Sequence, residues 1–267
     1  MQHIVCYSGG HSSALVAVEV VRKYGKKDVV LLNHNINPFV EVKDIKRFKL
    51  EVANYLGVEI TPCDMPGWDT KDQFDVVVEA GAFKVGNGTA LCTNRLKTRP
   101  FERWLEANAE NGAVIYYGFD ANEPQRIQRR WAHIKALGFE SAFPLAQWPR
   151  TIQAIEEIGI RRPSTYETFK HANCIGCLKA GRQHWYVVYC TRPDVWERGL
   201  WAEDEIGYTI IKGASLDSLV PLFERMKKIG IEPTEHIPPG TFWSGVKKKI
   251  KLDFAEDEDT KPCECAA

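Results

Sequence analysis

The sequence has no excess of charge of either sign, because 35 lysines and arginines are balanced by 35 aspartates and glutamates. Net charge therefore gives no indication of a polyanionic partner, although local basic clusters can still bind anions. No run of 18 apolar residues is present, so no membrane-spanning helix is predicted. Met1 leads directly into a strand-like run, which leaves no room for a signal peptide. We expect a cytoplasmic protein.

Cysteine, by contrast, is more frequent than a chain of 267 residues needs. The eight cysteines are Cys6, Cys63, Cys92, Cys174, Cys177, Cys190, Cys263 and Cys265. In an extracellular protein they would predict disulfides. In a reducing cytosol, the Cys-x-x-Cys spacing of Cys174 and Cys177 instead indicates a metal, a cluster or redox chemistry.

Strand-like runs alternate with helical patterns over the first part of the chain. The short β-branched and apolar runs are 3–7, 28–32, 58–62 and 113–118, and helical spacing of apolar residues covers 12–24, 40–56 and 99–109. Strands that alternate with helices predict an α/β fold, in which a parallel sheet carries helices on both faces.

The pattern becomes mainly helical from about residue 143. Helices are predicted over 151–158, 182–190, 194–205 and 216–229. We therefore divide the chain into an α/β domain at 1–145, a helical part at 146–245 that carries the Cys-x-x-Cys, and a charged, mobile tail at 246–267.

The first strand ends in "YSGGHSS", where an apolar run breaks into two glycines and three serines. Ligands of open parallel sheets bind beyond the carboxyl ends of the strands, which is where this loop is predicted to lie. Backbone amides, serine hydroxyls and the positive end of the next helix together make an anion site. The loop is neither a G-x-G-x-x-G nor a Walker motif. The simpler alternative is a glycine turn with a serine cap.

Several segments resemble the PP-loop ATP pyrophosphatase superfamily, which includes the adenosine phosphosulfate (APS) and phosphoadenosine phosphosulfate (PAPS) reductases and the tRNA thiolases. "SGGHSS" resembles the SGG-x-D-S pyrophosphate loop of this superfamily. "CTNRLKTRPFERWL", "GFDANEPQRIQRR" and "FPLAQWPRTIQAIEEIGI" resemble later family segments in the same order, and "CIGC" stands at the last cysteine pair of the reductases. The resemblance covers roughly 3–190 and is closest to the PAPS-reductase branch.

The resemblance implies a Rossmann-like fold of the adenine nucleotide alpha hydrolase type and a set of site residues. The implied nucleotide-binding residues are Ser8, Gly9, Gly10, His11, Ser12, Ser13 and Glu123, and the implied catalytic residues are Lys97 and Arg126. Two departures from the family pattern each remove a carboxylate that could hold Mg²⁺. Ser12 replaces the usual Asp of the loop, and Asn33 ends the second strand, where many family members have an Asp. The arginine expected after Gly118 is also absent.

The cysteines at family positions are Cys92, Cys174 and Cys177, while Thr93 replaces the second member of the usual tandem pair. The resemblance implies a [4Fe–4S] cluster on three thiolates, which leaves one iron open, as in sulfur-transferring members. Alternatives are Cys190 as a fourth ligand, a structural zinc or plain thiols. The tail cysteines, Cys263 and Cys265, lack the Gly-Leu-His that follows the catalytic cysteine of the reductases.

The implied activity is adenylation of an acceptor by ATP with Mg²⁺, followed by sulfur transfer that displaces AMP. We expect a nucleobase or nucleic acid as the acceptor, a sulfur donor or reductant as a second partner, and no membrane. The sequence does not decide between a monomer and a homodimer. The alternatives are an APS or PAPS reductase, and a non-catalytic nucleotide-binding module whose cysteines hold zinc.

Overall fold

Five parallel strands form the single sheet found in the computed structural model, which describes residues 1–68, 70–84, 88–172 and 174–250. The strands are β1 (His3–Cys6), β2 (Val29–Asn33), β3 (Ile60–Pro62), β4 (Val114–Tyr116) and β5 (Glu140–Ala142). Their order is β3-β2-β1-β4-β5, with His3 paired to Val29 on one side and to Val114 on the other. The predicted parallel sheet is therefore confirmed.

Helices follow the strands and then continue alone toward the C-terminus. Those of the first part are α1 (His11–Tyr24), α2 (Lys43–Leu56), α3 (Gln73–Ala80), α4 (Leu91–Thr93), α5 (Arg99–Asn108), α6 (Pro124–Ala136) and α7 (Pro144–Gln147), with a π-helical segment at Asn94–Thr98. Those of the second part are α8 (Arg182–Thr191), α9 (Pro193–Ile206), α10 (Leu216–Lys228) and α11 (Pro239–Ile250). The predicted helical C-terminal part is confirmed.

Successive residues of β1 point into two different cores, which is why Ile4, Val5 and Cys6 are all apolar. Val5 and Tyr7 pack with α1 and α2 on one face of the sheet. Ile4 and Cys6 pack with Phe101 and other side chains of α5 on the opposite face. Both faces are thus covered, as expected for a parallel sheet.

A third core joins the helical part to the edge of the sheet region. It contains Phe74 of α3, Trp185 of α8 and Phe223 of α10, all fully buried. Trp185 makes edge contacts with Phe74 at 6.5 Å and with Trp196 at 6.1 Å between ring centroids. This aromatic core therefore anchors α8, the helix that follows the cysteine pair.

Three details differ from the sequence analysis. The helix predicted over 151–158 is only a 3-10 turn at Ile155–Ile158, because Glu157 folds back and accepts hydrogen bonds from the Gln153 and Ala154 amides at 2.8 Å. The strand β5 and the helices α3, α6 and α11 are not among the elements predicted from the sequence. Helix α11 reaches Ile250, which is buried, so the helix includes the first residues of the predicted tail.

The rest of that tail, residues 251–267 with Cys263 and Cys265, lies outside the described residues. Among the helices of the described part, none is long and apolar enough to cross a membrane.

Two glycines in helices of the C-terminal part give opposite predictions for alanine. A Cβ on Gly199 would lie 2.7 Å from Leu216 and 2.9 Å from the rigid ring of Trp185, whereas one on Gly245 would meet nothing within 4 Å. We expect Gly199→Ala to lower the free energy of unfolding by about 1–3 kcal/mol through overpacking. Gly245→Ala should raise it by up to about 1 kcal/mol through helix propensity. Urea unfolding measures both, and equal effects would contradict the packing described for α9.

Candidate functional site

The loops after β1 and β4 lie side by side at the carboxyl edge of the sheet. The chain leaves β1 toward β2 on one side and returns to β4 on the other, so the strand order reverses between β1 and β4. Open parallel sheets bind ligands at such a reversal. A Cβ on Gly118, after β4, would lie 3.0 Å from the backbone of Ser12. The two loops therefore approach so closely that only glycine is accommodated at this position without displacement.

The loop 8–13 turns sharply at Gly9 and enters α1 at Gly10. Gly9 has a φ of 81°, in the left-handed region that favours glycine. Ser13 Oγ donates a hydrogen bond to the Gly10 carbonyl at 2.9 Å, and Ser8 Oγ donates to Ser13 Oγ at 3.3 Å. The N-cap residue of α1 is Gly10, which has no side chain to cap the helix, so the structure does not support the serine-cap alternative. The amides of this turn are directed at the site.

A buried ion pair lies directly beneath the loop. Lys49 Nζ contacts both carboxylate oxygens of Glu41 at 2.7 Å and Asn33 Oδ1 at 3.3 Å. Burial lowers the pKa of Lys49, and the charge of Glu41 opposes this shift. The stem of Lys49 packs under Gly9, where a Cβ would come within 2.3 Å of Lys49 Cε. The pair therefore fixes the floor of the loop.

The sequence analysis missed this pair, although a signal was present. Lys49 lies on the apolar face of α2, next to Phe48 and one turn from Ile45 and Val52. A lysine on such a face requires a buried partner, because an unpaired buried charge is strongly unfavourable. Asn33, which departs from the family pattern, belongs to the same network, since its Nδ2 donates to the Tyr7 carbonyl.

A cavity of about 1010 Å³ opens above the loop. Of the predicted site residues, it is lined by Ser8, Gly10, His11, Ser12, Ser13, Glu123 and Arg126. Glu123 and Arg126 form an ion pair, and the Arg126 guanidinium lies 4.4 Å from the Phe119 ring centre. The structure thus brings the predicted loop and the predicted α6 residues to one cavity.

Lys97 is not among the residues that line the cavity. It lies in the π-helical segment, where its positive charge contributes to lowering the pKa of His34 and of Lys49. Burial is the larger cause and lowers the pKa of His34 to about 3. Lys97 is therefore close to the end of β2 and the floor of the loop.

The opposite wall of the cavity comes from the segment before the cysteine pair. The Tyr166 hydroxyl accepts a hydrogen bond from the first amide of α1, that of His11, at 3.0 Å. Burial raises the pKa of Tyr166, and the backbone of Ala172 makes a second hydrogen bond to it. The His11 ring is also held, because its Nε2 accepts from the Ile155 amide at 3.3 Å. The sequence analysis did not identify Tyr166.

None of the three predicted metal-binding cysteines lines the cavity. Cys177 is buried, and Cys92 and Cys174 pack against the aromatic core that contains Phe74. Gln73 of α3 donates to the carbonyl of Ile175 at 2.8 Å, and α3 also contacts α4, which carries Cys92. Helix α3 therefore contacts both cysteine-bearing segments. Among the described residues, the group whose ligand atoms lie within 4.8 Å of one another does not include these three cysteines.

Two histidines and a glutamate that line the cavity come together in its wall. Ligand atoms of His171, His184 and Glu235 lie within 4.8 Å of one another. His184 Nδ1 is 2.6 Å from Glu235 Oε1, and its Nε2 accepts from the amides of Gly176 at 3.1 Å and Cys177 at 3.2 Å. The sequence showed no signal for Glu235, which is 51 residues from its partner.

No family model, curated protein or solved structure matches the chain. No family membership is therefore shown, and the arrangement of the site residues is what bears on function.

The contact between Gly9 and Lys49 gives a prediction with a matched control. Gly25 has a similar φ of 77°, but a Cβ there would meet nothing within 4 Å. Gly25→Ala should lower the free energy of unfolding by about 1–3 kcal/mol, because its φ of 77° and ψ of 171° define a conformation essentially restricted to glycine. Gly9→Ala should cost at least about 1 kcal/mol more, because Lys49 is displaced from its pair. Urea unfolding of both variants checks this, and equal losses would contradict the contact.

Acid stability should depend on Glu235. Burial alone would raise the pKa of this carboxyl, but hydrogen bonds from His184 and from the Lys170 amide, together with positive charge at His171, lower it from 4.5 to about 2. Because the pKa of Glu235 is lower in the folded than in the unfolded state, this carboxylate stabilises the fold at pH values above its unfolded pKa. The contribution is lost as the pH falls from about 4.5 toward 2. Glu235→Gln should remove roughly 2–3 kcal/mol of this pH dependence, measured by urea unfolding between pH 5 and 2.5. The exposed Glu232→Gln is the control, and an unchanged slope in Glu235→Gln would contradict the assignment.

Proposed function

We propose that the protein binds ATP with Mg²⁺ in the cavity and places the phosphates on the loop 8–13. The observation that supports this most directly is the first turn of α1, which has a glycine at its N-cap and borders a cavity at the strand-order reversal. Amides of a helix start and adjacent hydroxyls favour negative charge. Gly9 permits the close approach, and Ser8 and Ser12 supply hydroxyls on the cavity lining.

The proposed reaction has two steps. In the first step, an acceptor oxygen attacks the α-phosphorus of ATP, the bond to the β-phosphate oxygen breaks, and pyrophosphate leaves. In the second step, sulfide attacks the activated carbon, and AMP leaves with the former acceptor oxygen. Neither step changes the oxidation state of sulfur. The loop amides and Arg126 would stabilise the charge on the phosphates. Lys97 receives no phosphate contact in this proposal.

The cysteines would supply the sulfur side of the reaction. Cys92, Cys174 and Cys177 would hold an iron–sulfur group, since helix α3 contacts both of the segments that carry them. When bound, that group supplies a site for the delivery of inorganic sulfide. The acceptor we propose is a nucleobase or nucleic acid.

Arg126 gives the sharpest test of nucleotide binding. Arg129 lies on the same helix, carries the same charge and is exposed, and it does not line the cavity. Arg126→Ala should weaken ATP binding at least about tenfold, since a charge-assisted hydrogen bond contributes about 1.5–3 kcal/mol. Arg129→Ala should change it less than twofold. Isothermal titration calorimetry measures both, and equal effects of the two variants would contradict the proposed phosphate position.

The chemistry is tested on anaerobically purified protein incubated with ATP, Mg²⁺ and sulfide plus RNA or DNA. We expect pyrophosphate and AMP to be released with an acceptor that gains sulfur, and iron to exceed zinc in metal analysis. Absence of pyrophosphate with every acceptor would overturn the adenylation proposal. Zinc without iron would favour the nucleotide-binding module, and sulfite formed from APS or PAPS with thioredoxin would favour the reductase.

A further inference from the structure

We propose that His184 and Glu235 are positioning residues that hold the cysteine turn, residues 174–177, through two of its amides, and that His184 is not a metal ligand. This inference deepens the proposed function, because it assigns the support of the turn that would carry two of the thiolates. It stands on the hydrogen bonds of buried groups, since His184 and Glu235 are 3% and 7% exposed.

The two amides fix the tautomer of His184. The N–H groups of Gly176 and Cys177 both point at Nε2, at 3.1 and 3.2 Å. An N–H donor requires a lone pair on its acceptor, so Nε2 carries no proton. The ring proton is then on Nδ1, which donates to Glu235 Oε1 at 2.6 Å. The carboxylate thus orients the ring, and the ring orients the turn.

This tautomer argues against a metal at the group formed by His171, His184 and Glu235. A neutral histidine that ligates a metal donates the N–H of its other nitrogen to a second group. Here the only proton of His184 is on Nδ1, the atom that faces Glu235 and His171. A metal at Nδ1 would have to displace this proton, while Nε2 would still face two donors. The short spacing of the three side chains is accounted for by the hydrogen bond between His184 and Glu235 and by a polar contact of 3.4 Å between His171 Nε2 and Glu235 Oε2.

The turn is also held from its other sides. Gly176 has a φ of 72°, and a Cβ there would lie 2.5 Å from Val195, so the turn is pressed against α9. Gln73 donates to the carbonyls of Ile175 and Gly176 at 2.8 and 3.2 Å. The two amides bound to His184 are withheld from the cysteine sulfurs. Hydrogen bonds to the sulfurs tune the reduction potential of a bound cluster. Because His184 binds these two amides, it would influence that reduction potential without contacting the metal.

The first test measures the tautomer of His184 by 15N NMR of the labelled, metal-free full chain at neutral pH. We expect the nitrogen shifts of the Nδ1–H form. A proton on Nε2, in either the neutral or the doubly protonated ring, would overturn the proposal, because it would lie between Nε2 and both amides.

The second test measures amide hydrogen exchange at Gly176 and Cys177 in His184→Leu and in Val187→Ala. Val187 is a fully buried residue of the same helix, so its truncation reports general destabilisation. The measured quantity is the exchange rate of the two amides relative to the exchange rate of the β1 amides in the same variant. This ratio should rise at least tenfold in His184→Leu and stay near the wild-type value in Val187→Ala. His184→Gln, whose carbonyl can accept from the amides, should restore part of the protection. Equal exchange in His184→Leu and Val187→Ala would overturn the proposal.

The third test uses Co²⁺ alone as a probe of ligand identity. We expect His171→Gln and Glu235→Gln to bind Co²⁺ with the same thiolate charge-transfer band as the wild type. Loss of that band, or of Co²⁺ stoichiometry, in either variant would show that the group is a metal site and would overturn the proposal. If the wild type shows no thiolate band, the proposed role of the cysteines fails, whereas the NMR and exchange measurements still decide whether His184 positions the turn.

Discussion

The buried pair of Lys49 and Glu41 is the interaction on which the site depends. It places an alkyl stem directly under Gly9, so the loop can neither sink toward the sheet nor carry a side chain there. Breaking a buried pair by removing one partner typically costs about 3–5 kcal/mol of stability. A shift of the loop that displaced Lys49 would therefore be energetically unfavourable. The same lysine joins α2 to Asn33 at the end of β2, so the floor of the loop is tied to two elements.

The loop and the cysteine turn are connected by a short stretch of chain. Tyr166 receives the first amide of α1, and Ala172 hydrogen-bonds the same side chain two residues before Cys174. On the far side of the turn, His184 receives two of its amides. Hydrogen bonds to Tyr166 and to His184 thus lie on the two sides of the cysteine turn.

The sequence predicted the sheet and most helices because their signals are local. The apolar runs of β1 and β2 and the glycines of the loop can be recognised without tertiary contacts. Short elements such as β5 carry too few residues for a periodic signal. The helix expected at 151–158 depended on propensity, and the fold-back of Glu157 overrode it. The supports of the site are less visible, since Tyr166, His184 and Glu235 acquire their roles only through partners distant in the chain.

A crystal structure with a non-hydrolysable ATP analogue and Mg²⁺ tests the central claim most directly. The account predicts phosphate oxygens within about 3 Å of the amide nitrogens of Ser12 and Ser13, with the Arg126 guanidinium turned toward them. A nucleotide bound elsewhere, or phosphates that leave the first turn of α1 without a contact, would contradict it.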